Sequence, residues 1–389
     1  MFVNTEAHFS KRQSVESKVV VDHEHIASQI LLSLANTRYA CVDCVPLEGG
    51  AINYIYRATL SCPLHDQNET VVLKHGLGHA ANIRDLQTPV IRCFAEAALV
   101  KALNSLDSGN TSSNGIMVRT PRLYDFVNDP CILVFEDFSG SMTLQDFFND
   151  RPEGYNADIA TAIGNSLGKW LSWFHTEPQF ATTEELAMTV KMNSNAIRKR
   201  LMSWYLKNFF DKVQASQALP ADSLMRLVAH AKAFLSKELD KQSGNNSGFI
   251  HGDYSPRNTL IQYTAENSND ITLCVVDWET CQFGSYMQDI ARFIADIYVL
   301  SHFNGNEFSV QLMDGIMKGY RRLNEEELFQ LAAYIGILLL NWEFVIVDDG
   351  PGGDELKMTI AAFAANVFLK ACEKDREWFT NGDLRCLFN

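Results

Sequence analysis

The sequence predicts an α+β fold in which a small antiparallel β-sheet with one helix precedes a larger, mostly helical part. Two observations carry this expectation: short β-branched and aromatic runs are concentrated before Asp137, and apolar residues recur at helical spacing after it. Residues 1–22 read as a polar tail. Ile26, Ile30, Leu31 and Leu34 then repeat as on one helical face. Three strand-like runs follow, Cys41–Leu47, Tyr54–Leu60 and Thr70–Lys74, with Gly49-Gly50 as the turn between the first two. Apolar residues from Phe94 to Leu103 predict a helix within 90–106, and the polar run 107–115 reads as a loop. Strand-like pieces near Arg122–Phe126 and Cys131–Phe135 complete a lobe of residues 23–137. From 138 to 389 the character is helical: Ile159, Ile163, Leu167, Leu171 and Phe174 share one face of a helix ending near His175. A polar loop at 241–248 leads through a short apolar approach into His251–Asn258, and Thr272–Val276 reads as a strand.

Bulk properties exclude several functions. A chain of 389 residues that is 47% hydrophobic and 21% charged has the composition of a soluble globular protein. Its 33 basic and 47 acidic side chains leave a net charge of −14, the wrong sign for coating a nucleic acid, so no such partner is expected. The apolar stretch Leu328–Val347 is interrupted by Gln330, Asn341 and Glu343. Its unbroken part, Leu331–Leu340, is too short to span a bilayer, so a buried helix and no membrane partner are expected. The first twenty residues lack an apolar core of signal-peptide length, which implies a cytoplasmic location with the nine cysteines reduced. Cys41 and Cys44 form one CxxC without the second pair of ligands that zinc needs. Cys386-Leu387-Phe388-Asn389 lacks a favoured last residue for prenylation. Nothing in the sequence fixes an oligomeric state.

The chemistry-bearing residues lie in two segments placed in order. His251-Gly252-Asp253-Tyr254-Ser255-Pro256-Arg257-Asn258 has the form H-x-D-x-x-x-x-N, and the following strand delivers Asp277-Trp278-Glu279 where a metal-binding Asp-Phe-Gly is expected. Transfer of the γ-phosphoryl group of ATP needs a base or orienter for the acceptor hydroxyl and magnesium ions to neutralise the phosphate oxygens. Asp253 suits the first role. Asn258 and Asp277 bring oxygen ligands of the kind magnesium prefers. Lys74 ends a β-branched run and is placed to meet nucleotide phosphates. Glu96, 22 residues later, shares a helical face with Leu99, Val100 and Leu103, so it turns inward and needs a cation. An aspartate near proline and asparagine often marks only a turn; the set of Lys74, Glu96, the loop and Asp277 is what favours a kinase.

These segments, together with Gly49-Gly50-Ala51-Ile52-Asn53-Tyr54-Ile55-Tyr56-Arg57 and Val72-Leu73-Lys74-His75, resemble the aminoglycoside phosphotransferase and choline kinase family, in particular its methylthioribose kinase branch. Asp277–Gly284 and residues 296–303 are most similar to the fungal hydroxytryptamine kinases. The resemblance spans about residues 45–370. It implies a bilobal, protein-kinase-like fold with ATP between the lobes. It also implies that backbone groups of the hinge Leu133–Phe138, Glu136 and Phe138 among them, bind adenine, and that Gly49, Gly50 and Asn53 approach the phosphates. That glycine pattern departs from the GxGxxG of protein kinases. Asp289 is implied to brace the catalytic loop from a helix, with helix-start residue as its alternative, and His251 is read as a structural brace. Gly252 and Ser255 stand where many protein kinases carry arginine and lysine, and no Ala-Pro-Glu segment is present, so the expected acceptor is the hydroxyl of a small molecule. For its pocket, Trp342 resembles a tryptophan of the hydroxytryptamine kinases, and Asp348, Asp349 and Asp354 offer charge to a cationic amine. A core helix end followed by a solvated acidic loop explains the same residues. Arg321-Arg322 resembles twin arginines of methylthioribose kinases, at a spacing too close to Asp277 for assignment.

Three other functions are weighed against this one. Gly76-Leu77-Gly78-His79-Ala80-Ala81 after a strand imitates a dinucleotide fingerprint, but Lys74 ends that strand and Glu96 falls in a helical pattern where a second strand is needed. Gly164 and Gly168-Lys169 have the wrong spacing for a P-loop, and Trp170 cannot replace the magnesium-binding Ser or Thr. The remaining alternative is a catalytically silent ATP-binding module that regulates a partner, against which retention of Lys74, Glu96, Asp253, Asn258 and Asp277 argues.

Overall fold

The structure, a computed structural model, describes residues 23–47, 52–81, 86–106, 111–113, 115–176, 183–217, 219–240, 246–263, 271–305, 308–341 and 353–388. They gather into two units, Met1–Thr88 and Pro89–Asn389.

In the first unit α1 (His23–Leu34) lies against antiparallel β1 (Cys41–Pro46), β2 (Tyr54–Leu60) and β3 (Thr70–His75). Strand β2 follows from its alternation: Tyr54, Tyr56, Ala58 and Leu60 are buried, while Arg57 and Thr59 face outward. Ile30 and Leu34 of α1 bury in the same core, and His23 Nδ1 lies 3.2 Å from the Tyr56 hydroxyl. The end of β3 breaks the alternation, since Leu73, Lys74 and His75 are all buried. Gly49 and Gly50 lie outside the described residues. Among the described residues no disulfide joins any of the cysteines, Cys41 and Cys44 included.

The second unit begins with α2 (Ile91–Asn104), followed by β4 (Thr111–Ser113), β5 (Ile116–Arg119), β6 (Leu123–Val127) and β7 (Ile132–Glu136). The run 107–115 is not wholly a loop: β4 pairs with β5, a strand that local pattern does not announce. The reason is long range, because β5 also pairs in parallel with β11 (Ile271–Val275), far along the chain. Between these come β8 (Met142–Thr143), α3 (Leu144–Asp150), α4 (Ala157–Thr176), α5 (Glu184–Ser216), α6 (Ala221–Asp240), β9 (Ser247–Ile250) and β10 (Thr259–Gln262). After β11 follow β12 (Gln282–Ser285), α7 (Tyr286–Asn304), α8 (Ser309–Gly319), α9 (Glu325–Leu338), α10 (Gly353–Glu373) and α11 (Arg376–Thr380). Helix α9 opens on a capping box between Asn324 and Glu327 and then buries every residue from Leu331 to Leu338. Among the described residues no helix is long and apolar enough to cross a membrane.

Two antiparallel pairs frame the part that matters most. Thr259 of β10 faces Val275 of β11, and Ile250 of β9 faces Gln282 of β12. The connections 251–258 and 276–281 are therefore brought face to face.

Gly164 and Gly168, which imitate a P-loop in sequence, have a packing role. They sit on α4 against Gly315 and Gly319 of α8, and a Cβ at Gly168 would lie 2.3 Å from the carbonyl oxygen of Ile316. One at Gly319 would lie 2.1 Å from that of Asn165. The obstacle is backbone, so only separation of the helices relieves it. Gly168→Ala is expected to lower stability by about 1–3 kcal/mol, read as a lower urea midpoint at constant slope. A gain of about 1 kcal/mol, the ordinary outcome of Gly→Ala inside a helix, would show that the helices have room.

Candidate functional site

Hydrogen bonds across the two facing connections lock them together. His251 donates from Nε2 to the carbonyl of Val276 at 3.0 Å, and Val276 N–H donates to the carbonyl of Asn258 at 2.9 Å. Thr280 Oγ1 donates to the carbonyl of His251 at 2.9 Å. Because Nε2 of His251 carries the proton, Nδ1 is left to accept the N–H of Asp253 at 3.3 Å. The buried ring is thus committed to holding the backbone on both sides. Gly252 adopts φ +85°, and a Cβ there would meet the carbonyl oxygen of Thr280 at 2.4 Å. Any side chain at this position, an arginine included, would push the connections apart. Ser255 and Pro256 open a single 3-10 turn, Pro256–Asn258, with the Ser255 hydroxyl accepting from the N–H of Asn258 at 3.4 Å.

The carboxylate of Asp253 takes a hydrogen bond on one oxygen and faces a buried positive charge on the other. Asn258 Nδ2 donates to Oδ2 at 3.0 Å and to the Asp253 carbonyl at 2.9 Å. A side-chain amide that spends its nitrogen this way directs its oxygen elsewhere. Arg257 approaches Oδ2 at 3.5 Å, and Nε of Arg292 in α7 lies 3.3 Å from Oδ1. Asp253 remains about a quarter exposed, whereas Arg292 is buried.

Helix α7 anchors the loop backbone as well. Asp289, fully buried one turn before Arg292, accepts the N–H of His251 at 2.8 Å and of Gly252 at 2.9 Å. His175, at the end of α4, lies 3.1 Å from the same carboxylate through Nε2, with its Nδ1 2.8 Å from the Tyr320 hydroxyl. Burial pushes the His175 imidazole below its ordinary value, and the neighbouring Asp289 only partly opposes this. The ring is therefore neutral near pH 7, donating to Asp289 and accepting from Tyr320.

The second connection is held by α2 and α5. Asp277 sits in a left-handed conformation, φ 67° and ψ 58°, which is uncommon for a residue with a Cβ. The residues after it are gripped from two positions one turn apart on α2. Glu96 accepts the N–H of Trp278 at 3.1 Å, and Arg92 Nε donates to the Glu279 carboxylate at 3.0 Å with both side chains buried. From α5, Asn193 Nδ2 donates to the carbonyls of Glu279 and Cys281 at 3.0 and 2.8 Å. The Trp278 ring, fully buried beside His251, fills the space between the two connections.

Asp253, Asn258, Asp277, His251, Asp289 and Glu96 thus assemble within the second unit. Lys74 and Asn53 are buried in the first unit. Glu136 ends β7, and its carboxylate is taken by Arg119 at 2.6 and 2.7 Å and by the N–H of Arg122 at 3.0 Å. The Arg119 guanidinium lies over the Phe138 ring at 4.9 Å. Trp342, Asp348 and Asp349 lie outside the described residues, and Asp354 is exposed at the start of α10. Sequence reasoning gave no site role to Arg92, Asn193, His175, Arg257, Arg292 or Asp296. Part of the signal was present: Arg92 precedes Glu96 by four residues, and Asp289, Arg292 and Asp296 recur on one face of an otherwise apolar helix.

Residues 43–330 match the model of the phosphotransferase enzyme family. Phosphotransferase FrzJ of a Cladobotryum species is 26% identical over 370 residues, covering 92% of this chain and 94% of its own. A 4-hydroxytryptamine kinase of Psilocybe cyanescens is 25% identical, with 90% and 93% covered. Among solved structures, the GDP complex of aminoglycoside 2'-phosphotransferase-IIIa aligns with a TM-score of 0.50 at 13% identity, over 91% of this chain and 99% of that one. This is a likeness of fold, and it agrees with the α+β, protein-kinase-like architecture.

The neutral, buried His175 makes stability depend on pH. Its folded value lies below the ordinary one of about 6.5, so as pH falls the unfolded chain takes up the proton first. This contribution to stability is complete above about pH 6.5 and is lost as pH falls through and below that value. Urea midpoints measured from pH 7.5 to 5.5 are expected to decline, and the decline to be shallower in His175→Gln. Parallel declines in the two proteins would mean that His175 does not titrate differently on folding.

Proposed function

This chain belongs to the phosphotransferase enzyme family, and we propose that it transfers the phosphoryl group at Asp253, with magnesium held by Asn258 and Asp277. It is an ATP-dependent small-molecule kinase, as its kinase-named relatives support over more than nine-tenths of their own length. That membership disfavours the alternative of a silent regulatory module. The observation that carries the site assignment is the pair of facing connections, which brings a partly exposed carboxylate and a left-handed aspartate together on one hydrogen-bonded frame.

The donor set fits a magnesium ion. Asn258 has its amide nitrogen engaged by Asp253, which leaves its oxygen for the metal, and Asp277 adds a carboxylate. Among the described residues no group of three or more His, Cys, Asp or Glu forms a metal cage. Magnesium keeps part of its shell as water and substrate phosphate, so two protein ligands are enough to place it. When bound, magnesium supplies charge neutralisation at the phosphate oxygens. Asp253 accepts a hydrogen bond from the acceptor hydroxyl, orients its lone pair toward the γ-phosphorus and takes its proton as the new P–O bond forms and ADP departs. In this reading Lys74, with Gly49, Gly50 and Asn53, meets the phosphates, Glu96 serves the nucleotide site, and the backbone at Glu136 and Phe138 receives adenine. In this reading residues 23–137 are the nucleotide lobe and 138–389 the acceptor lobe.

The acceptor is a small-molecule hydroxyl, and a hydroxylated amine is the class we favour. The support is the named substrate of the Psilocybe relative and the sequence Trp342, Asp348, Asp349, which offers an aromatic face and negative charge to an ammonium group. An ADP-release screen over 4-hydroxytryptamine, methylthioribose, choline and an aminoglycoside, with mass detection of the phosphate adduct, is expected to show turnover with the aromatic amine. Turnover of methylthioribose alone would refute the amine class.

Asp253→Ala is expected to keep magnesium-dependent ATP binding while phosphoryl transfer falls about 10²- to 10⁴-fold. Asp277→Ala is expected to lose metal-dependent ATP binding as well. Unchanged transfer in the first variant, or normal calorimetric affinity in the second, would withdraw the corresponding role.

A further inference from the structure

We propose that Arg292 is a positioning residue for phosphoryl transfer, clamped by Asp296 on one side so that it fixes the carboxylate of Asp253 on the other. The proposal rests on the reading of Asp253 given above. Arg292 Nε lies 3.3 Å from Oδ1 of Asp253 and 3.4 Å from Oδ2 of Asp296, in both cases as a charge pair outside hydrogen-bond geometry. Asp289, Arg292 and Asp296 follow one another at intervals of three and four residues along α7, so one helix face reaches the catalytic loop twice: once through its backbone amides and once through its aspartate side chain.

Burial argues that this contact is functional as well as cohesive. The side chains of Arg292 and Asp296 are 3% and 2% exposed, and removing a charge pair from water costs several kcal/mol per ion before any attraction is counted. Apolar residues would fill the same volume at lower cost. What an apolar residue cannot do is hold a carboxylate oxygen. Asp253 Oδ2 is engaged by Asn258 and approached by Arg257. Without Arg292 every fixed partner of Asp253 lies on one oxygen, and the carboxylate is free to turn toward the half-buried Arg257. A small loss of alignment of the hydroxyl acceptor with the phosphorus costs rate rather than nucleotide affinity. Asp296 completes the arrangement by holding Arg292 between two carboxylates. Tyr205 of α5, also buried, feels the charges of all four groups.

The test uses the full chain, with 4-hydroxytryptamine as the probe acceptor and water as the acceptor that is always present, and follows ADP release. Arg292→Gln is expected to lower kcat roughly 10- to 100-fold with KM for ATP within about twofold, because only the transition state needs the aligned carboxylate. Arg292→Lys, which keeps the charge but not the planar fork, is expected to recover part of the loss. In an Asp253→Asn background, Arg292→Gln is expected to change the residual rate by less than about twofold, since two residues acting through one group are not additive. Multiplicative losses in that cycle, or a loss confined to KM for ATP, would overturn the proposal while leaving Asp253 in place. An Asp253→Asn variant with full transfer would overturn the Asp253 reading and this proposal together. Should Arg292→Gln alone fail to fold, the same cycle is run with Arg292→Gln and Asp296→Asn combined, which removes both buried charges at once.

Discussion

The carboxylate of Asp289 is the point on which the loop 251–258 hangs. It accepts two consecutive backbone N–H groups, those of His251 and Gly252, inside a core where an unmet donor costs about 1–3 kcal/mol. Directly after these two amides the chain takes the left-handed φ of Gly252, where a Cβ would meet the carbonyl oxygen of Thr280. Everything downstream is set by this choice. The turn carries His251 toward Val276, places Asp253 outside the core, and leaves Asn258 to close the loop back onto Asp253. The neutral His175 behind Asp289 fixes the carboxylate from the other side without adding a buried positive charge.

A second layer of control comes from α2, which reaches the other connection at two points one helical turn apart. Glu96 holds a backbone amide and Arg92 a carboxylate, both in the residues that follow Asp277. The left-handed conformation of Asp277 is costly by about 1–3 kcal/mol and persists because Trp278, Glu279 and Cys281 are each tied down by α2, α5 or the strand before them. Helix α2 thus reaches the residues beside the proposed metal position directly, through a hydrogen bond and an ion pair.

Legibility from sequence followed the range of the interaction. Strands β2, β6 and β7, helix α2 and the stripe on α4 rest on local alternation or helical period, and their approximate bounds are read from residues alone. Strand β5 is not, because its pairing with β11 joins segments with no shared pattern. The segments His251–Asn258 and Asp277–Glu279 stand out because phosphoryl transfer demands particular residue types at short, fixed spacings. The groups that steady them do not: Arg92, Asn193 and His175 act across 86 to 187 positions of chain, and each looks locally like an ordinary helix residue. Gly164 and Gly168 show the converse error. A spacing that imitates phosphate binding is produced by two helices whose backbones nearly touch.

One glycine and one charge arrangement bear on why a small acceptor suits this site. In many protein kinases the residue before the catalytic aspartate is an arginine that answers to a phosphorylated segment. Here a Cβ at Gly252 would run into the Thr280 carbonyl, so that means of control is closed by the backbone itself. Positive charge near Asp253 comes instead from Arg257 within the loop and Arg292 beneath it, neither of which waits for a modification. The loop is held in one geometry by buried groups that are present whenever the chain is folded. Selection among acceptors then falls to whatever surrounds the hydroxyl.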